Sequence, residues 1–271
     1  MNIGVFDSGF GGLTILKKII KILPLYDYIY LGDNARAPYG DRSENVIYEF
    51  TRQGVDVLFK KNCKIVVLAC NTASARALRR LQQEWLPITY PDRRILGIVI
   101  PVTEYIAQIT HGEKIGVIGT RATISSHVYT KELEKLGRKD LVLFQESCPL
   151  LVPLIEEGWQ NTIPAIMILK KYLRPLKLKQ IKALVLGCTH YPIILESIKR
   201  IMGKNVHIID PGVIIARSLK DYLKRHEEIE TCITKNSTIE FFTTDASPRA
   251  KNLAIQFWGK TIPVKTITLE P

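Results

Sequence analysis

Short runs of Val, Ile and Leu recur along the chain, at residues 3–6, 28–31, 65–69, 115–118, 183–186 and 206–209. Each ends in a turn cluster and leads into a segment of helical period, such as residues 13–23. Runs this short, without polar alternation, suit strands buried on both faces, and the helical segments suit the crossovers between them. The pattern predicts an α/β fold with mostly parallel sheets. The longest apolar run, residues 95–102, is far too short to span a bilayer, so no membrane segment is expected.

Two of these segments occur twice. Ile3-Gly4-Val5-Phe6-Asp7-Ser8-Gly9 is echoed by Ile115-Gly116-Val117-Ile118-Gly119-Thr120. Ile65-Val66-Val67-Leu68-Ala69-Cys70-Asn71-Thr72 is echoed by Ala183-Leu184-Val185-Leu186-Gly187-Cys188-Thr189-His190. The separations, 112 residues from Ile3 to Ile115 and 118 from Cys70 to Cys188, are close enough to indicate two homologous halves. The boundary falls near residues 92–100, after the breakers Pro87 and Pro91. Beyond residue 210 the chain adds helix, strand, helix and strand, with no third copy of either motif. The expected layout is a first α/β domain of residues 1–96 plus 210–271 and a second of 97–209. The two similar lobes are related by pseudo-twofold symmetry, with a cleft between them.

Composition adds limits. At 271 residues and 46% hydrophobic, the chain can bury a substantial core. The net charge of +12 permits attraction to nucleic acid or anionic surfaces. Basic residues on several helices (Lys17, Lys18, Lys21; Arg76, Arg79, Arg80; Lys220, Lys224, Arg225) read as solvated outer faces, with nucleic acid not required. The rival class is a basic nucleic-acid-binding protein. Five cysteines, at 63, 70, 148, 188 and 232, form no C-x-x-C pair, which argues against a disulfide framework or a redox motif. With no secretory leader expected, a reducing cytoplasm is the natural compartment.

The candidate chemistry lies after the strands. Asp7-Ser8-Gly9-Phe10-Gly11-Gly12 could bring backbone amides to a ligand. Its spacing fits neither nucleotide fingerprint, because Thr14 stands where a dinucleotide loop needs glycine and no Gly-Lys-Ser/Thr follows. A second rigid turn carries Pro38-Tyr39-Gly40. Cys70 and Cys188 each follow a buried strand, where α/β proteins place their ligands. A cysteine opening a helix would have its thiolate favoured by the dipole. Symmetry would then set two thiols on opposite sides of one cleft, suited to taking a proton from one face of a carbon and returning one to the other. His190 can serve as acid or base beside Cys188. Zinc ligation by Cys188 and His190 lacks a second ligand pair. Cys63, Cys148 and Cys232 read as structural.

At these residues the sequence resembles the glutamate racemases, within the aspartate/glutamate racemase superfamily. The resemblance rests on Asp7-Ser8-Gly9-Phe10-Gly11-Gly12, Asp33 with Pro38-Tyr39-Gly40, Ala69-Cys70-Asn71-Thr72-Ala73, Gly119-Thr120 with Thr123, Val152-Pro153-Leu154-Ile155-Glu156 and Gly187-Cys188-Thr189-His190-Tyr191-Pro192, in family order over residues 7–192. The resemblance implies a cytoplasmic, cofactor-independent, homodimeric isomerase that interconverts L- and D-glutamate and supplies D-glutamate for peptidoglycan and so for cell shape. It implies that Cys70 and Cys188 are the catalytic thiols, assisted by Asp7, His190 and either Glu156 or its neighbour Glu157. Substrate would be bound by Asp7, Ser8, Pro38, Tyr39, Gly40, Asn71, Thr72, Thr120, Thr123, Thr189 and His190. No metal is implied. A superfamily member acting on aspartate is the close alternative.

Overall fold

The computed structural model describes residues 1–110 and 112–270. Ten strands are present among them: β1 (Asn2–Asp7), β2 (Tyr28–Gly32), β3 (Cys63–Leu68), β4 (Arg94–Gly97), β5 (Lys114–Gly119), β6 (Val142–Ser147), β7 (Ala183–Gly187), β8 (His207–Ile209), β9 (Ile239–Thr243) and β10 (Val264–Thr266). They form a six-stranded sheet in the order β10-β9-β2-β1-β3-β4 and a four-stranded sheet in the order β6-β5-β7-β8. Every pairing is parallel. The order β2-β1-β3-β4 is repeated as β6-β5-β7-β8, so the duplicated sequence segments occupy equivalent central strands of two α/β lobes.

The middles of the central strands are apolar because helices cover both faces. Ile3 and Val5 of β1 join one core while Phe6 joins another on the opposite face; Ile65 and Val67 divide from Val66 and Leu68 of β3 in the same way. In the second lobe Leu184 and Leu186 of β7 join the core that holds Ile3 and Val5, and Ala183 and Val185 join a third core on the opposite face of the strand. One core therefore runs from β1 and β3 through to β7, and the lobes are fused behind the cleft. The helix Leu13–Ile22 buries Leu13, Ile15, Leu16 and Ile19 and packs on the helix Pro211–Arg225, whose first turn is capped by Asp210. The chain passes from the first sheet to the second after β4 and returns after β8, whereupon β9 and β10 extend the first sheet from the free edge of β2.

Some elements differ from the pattern reading. The apolar run 95–102 is two elements, the end of β4 and the start of the helix Val99–Ile109, parted at Gly97. A side chain at Gly97 would collide with Leu78, so the residue is fixed by close packing. Strand β6 was not visible because it is an edge strand, partly exposed and ending in Gln145-Glu146-Ser147. No helix among the described residues is long and apolar enough to cross a membrane.

Candidate active site

The loops that follow β1, β2, β3, β5, β6 and β7 converge on a cavity between the lobes. Ser8 and Gly9, residues 37–41, and Cys70 to Thr72 line it from the first lobe; Thr120, Arg121, Cys148, Glu156 and Cys188 to His190 line it from the second. The two thiols stand at equivalent positions of the two repeats and share this one space, both nearly fully buried.

Their settings differ. Cys70 opens the helix Asn71–Arg76, and its Sγ lies 3.4 Å from Ser8 Oγ. Burial pushes its thiol up to about 12, with the nearby Asp7 carboxylate adding to the rise and the Ser8 hydroxyl and Ala73 amide opposing it. The helix start therefore does not prevail over desolvation. Cys188 does not open an α-helix as the sequence pattern suggested. A turn and the 3₁₀ segment Tyr191–Ile194 intervene before the helix Leu195–Met202. What Cys188 has instead is His190, whose Nδ1 is 3.8 Å from its sulfur. His190 Nε2 in turn is 3.0 Å from Glu156 Oε1. Burial works against a charged ring here, yet hydrogen bonding and charge from Cys188 and Glu156 outweigh it and lift His190 to about 10. Protonated, it donates from both nitrogens and sets positive charge beside the Cys188 sulfur. The aromatic edge of Phe257, from the C-terminal helix Pro248–Trp258, closes over the imidazole at 4.8 Å between centroids.

Glycines make this assembly possible. A Cβ on Gly11 would sit 2.6 Å from His190 Nδ1 and overlap Thr189 Oγ1, so the loop after β1 can meet the loop after β7 only without a side chain there. At Gly11 the close approach is thus to the other lobe, while Gly9 of the same loop lines the cavity. Asp7 is fully buried beneath this junction, accepting from the Gly9 amide at 2.8 Å and the Thr189 hydroxyl at 3.3 Å. Burial raises its carboxyl above the ordinary range, against the opposing charge of His190.

Across the cavity a hydroxyl cluster joins the lobes: Thr72 Oγ1 is 2.9 Å from Thr120 Oγ1, which donates to Thr123 Oγ1 at 3.0 Å. Asn71 accepts from the Tyr129 hydroxyl at 3.0 Å, leaving its buried Nδ2 without a protein partner. Besides His190, Arg121 is the cationic side chain on the described wall, and it is paired with Asp41 at 2.8 Å. A bound anion would therefore be met mainly by neutral donors.

Of the sequence candidates, Ser8, Pro38, Tyr39, Gly40, Cys70, Asn71, Thr72, Thr120, Glu156, Cys188, Thr189 and His190 reach the wall. Asp7 and Thr123 lie one layer behind it, holding Thr189 and Thr120. Tyr39 turns its hydroxyl away to Asp33 at 2.5 Å. Between the adjacent acids, Glu156 faces His190, while Glu157 is drawn outward to Arg249 at 2.6 Å. Cys148 was read as structural, yet it lines the cavity directly after β6; its place after a strand, shared with Cys70 and Cys188, was the available signal. Cys63 is buried within β3 and Cys232 is exposed. Among the described residues no three His, Cys, Asp or Glu side chains are grouped to hold a metal ion.

The geometry has counterparts among known proteins. A sequence profile of the Asp/Glu/Hydantoin racemase family matches residues 3–219. The chain is 41% identical over 242 residues to a glutamate racemase of Thermoanaerobacter pseudethanolicus, covering 89% of this chain and 87% of that protein. The crystal structure of a glutamate racemase isoform from Bacillus anthracis superposes with a TM-score of 0.89 at 34% identity, covering 99% of this chain and 97% of that one. The glutamate racemase of Francisella tularensis, solved in complex with D-glutamate, gives 0.88 at 34% identity, covering 99% and 98%.

Proposed function

The chain belongs to the Asp/Glu/hydantoin racemase family of enzymes, and we propose that it interconverts L- and D-glutamate by passing the α-proton between Cys70 and Cys188, without a cofactor. The observation that carries the mechanism is the pair of thiols at equivalent strand ends of two repeated lobes, lining one cavity. Glutamate as substrate is supported by the names of the relatives and by a wall of neutral donors suited to carboxylates.

In one direction the Cys188 thiolate takes the α-proton of L-glutamate. The C–H electron pair stays on carbon and spreads into the α-carboxylate. Cys70 then gives its proton to the opposite face and is left as the thiolate, so configuration inverts and negative charge passes from one sulfur to the other. The reverse reaction starts from Cys70 and D-glutamate. A thiol at about 12 is ionised in only about one molecule in 10⁴ at pH 8. Substrate must therefore help, and its α-ammonium is the charge that would favour a thiolate next to it. His190, held by Glu156, does the same service for Cys188. The free Asn71 amide and the Thr72 and Thr120 hydroxyls would take the α-carboxylate, where charge grows in the transition state. Ser8 and Thr189 would orient the substrate, with Asp7 and Thr123 behind them as supports.

The test is purified protein with L-glutamate in heavy water and no added cofactor, following optical rotation and deuterium at the α-carbon. Loss of rotation with deuterium uptake supports the reading. An unexchanged substrate overturns it, and exchange of L-aspartate in its place moves the enzyme to the aspartate branch.

We further propose that residues 1–96 with 210–271 and residues 97–209 are the two domains, and that the enzyme is a cytoplasmic homodimer supplying D-glutamate to peptidoglycan. Sedimentation velocity tests the dimer, and D-glutamate auxotrophy on deletion tests the role.

A further inference from the structure

We infer that the outer face of the helix Ile163–Leu178 docks the second lobe on an anionic lipid surface. The net charge of +12 is not evenly spread: between residues 161 and 204 there are nine Lys and Arg against one acid, Glu196. This stretch, about a sixth of the chain, carries two-thirds of the excess charge.

The helix buries Ala165, Leu169, Leu173 and Leu176, a complete inner stripe, so its outer face is not needed for the fold. That outer face is nevertheless apolar. Ile163 is 79% exposed, Met167 65% and Leu178 72%. Single exposed apolar residues need no explanation, but three on one face of one helix do. Between them, at the same helical phase, stand Lys170, Arg174 and Lys177. Lys170 and Arg174 have no ion-pair partner among the described residues, and the helix contains no Asp or Glu.

Apolar side chains interleaved with unneutralised cations match a phospholipid interface, where side chains enter the acyl boundary and cations meet the headgroup phosphates. Nucleic acid would use the cations but leaves Ile163 and Met167 without a partner. A second copy of this chain would bring like charge against like. The occupant that satisfies both features is an anionic bilayer surface, met in the plane and not crossed.

Co-sedimentation with phosphatidylcholine vesicles, with and without phosphatidylglycerol, tests this using the intact protein. Binding should require phosphatidylglycerol. The double variant K170E/R174E should weaken it by at least about 25-fold, since each interfacial cation lost is worth roughly a factor of five. The variant I163S/M167S should bind more weakly and be released fully by salt. Both should retain racemisation in free solution, which reports that they fold. Absence of phosphatidylglycerol-dependent binding overturns the inference. So does tighter binding to duplex DNA that is unaffected in I163S/M167S, or a dimer that I163S/M167S dissociates.

Discussion

Exchange of Glu156 for Gln removes one charge and almost no volume, and its effect can be followed through His190. The imidazole is held at about 10 by Cys188 and Glu156 against the cost of burial. Its Nε2 lies 3.0 Å from the Glu156 carboxylate. An opposite charge at this range moves a titration by roughly one to three units, so in E156Q the ring should titrate at roughly 7 to 9. Because the folded-state value in the parent is raised above that of the unfolded chain, the stabilisation is fully present below about pH 6.5 and is lost as pH rises through about 10. E156Q should therefore be less stable than the parent by about 1.4 to 4 kcal/mol at pH 6, the gap closing above pH 10. Urea titrations at the two pH values measure this. In a pH–rate profile the basic limb of kcat/KM should move to lower pH by the same one to three units. The enantiomers have equal free energy, so kcat/KM must fall by the same factor in both directions, whereas kcat and KM can change unequally. A basic limb that stays in place, together with a stability gap independent of pH, would refute the claim that Glu156 maintains the charge on His190.

Other predictions concern separate parts of the molecule. Cys70→Ala and Cys188→Ala should each abolish racemisation, and each should leave solvent exchange of one enantiomer only, read by deuterium at the α-carbon; near-normal turnover in either removes the two-base mechanism. Gly11→Ala should lower stability by about 1–3 kcal/mol and disturb His190, measured by denaturation and by kcat. Tyr129→Phe strips Asn71 Oδ1 of its donor, which should cost about 1–3 kcal/mol and raise KM for glutamate. Asp27 is buried, but donors from Thr234, Thr238 and Asn236 outweigh desolvation and hold its carboxyl well below the usual range. Its contribution is present above about pH 4 and lost as the medium becomes more acid, so Asp27→Asn should destabilise at neutral pH and progressively less below pH 4.

The parallel sheets and the repeat were legible because burial on both faces leaves an unbroken apolar run, and because the two copies kept their strand-end motifs. Strand β6 was not, since an edge strand has one face free for polar side chains. The division of the run 95–102 was hidden as well: periodicity over eight residues does not separate a strand end from a helix start. Within the site, residue types were readable and depth was not. Nothing in the sequence distinguishes Thr120, on the wall, from Thr123, behind it. The choice of Glu156 over Glu157 depends on which side of one helix turn meets His190, and on Arg249, ninety-two residues away, taking the other acid. Cys148 was passed over because its strand was.

The path of the chain through the two sheets sets an order on synthesis. Strand β2 receives its outer neighbour, β9, only when residues beyond 239 have been made, some two hundred residues later. At roughly 5–20 residues per second, a nascent chain holds that row of unpaired amides and carbonyls open for about 10–40 s. The helix Leu13–Ile22 likewise waits for the helix Pro211–Arg225 to cover its apolar side. The second lobe, complete by β8, can therefore mature on the ribosome while the first lobe, begun earlier, is the last to close. Chaperone contact during translation should then centre on β2 and the first helix, and a chain truncated before β9 should aggregate through that edge.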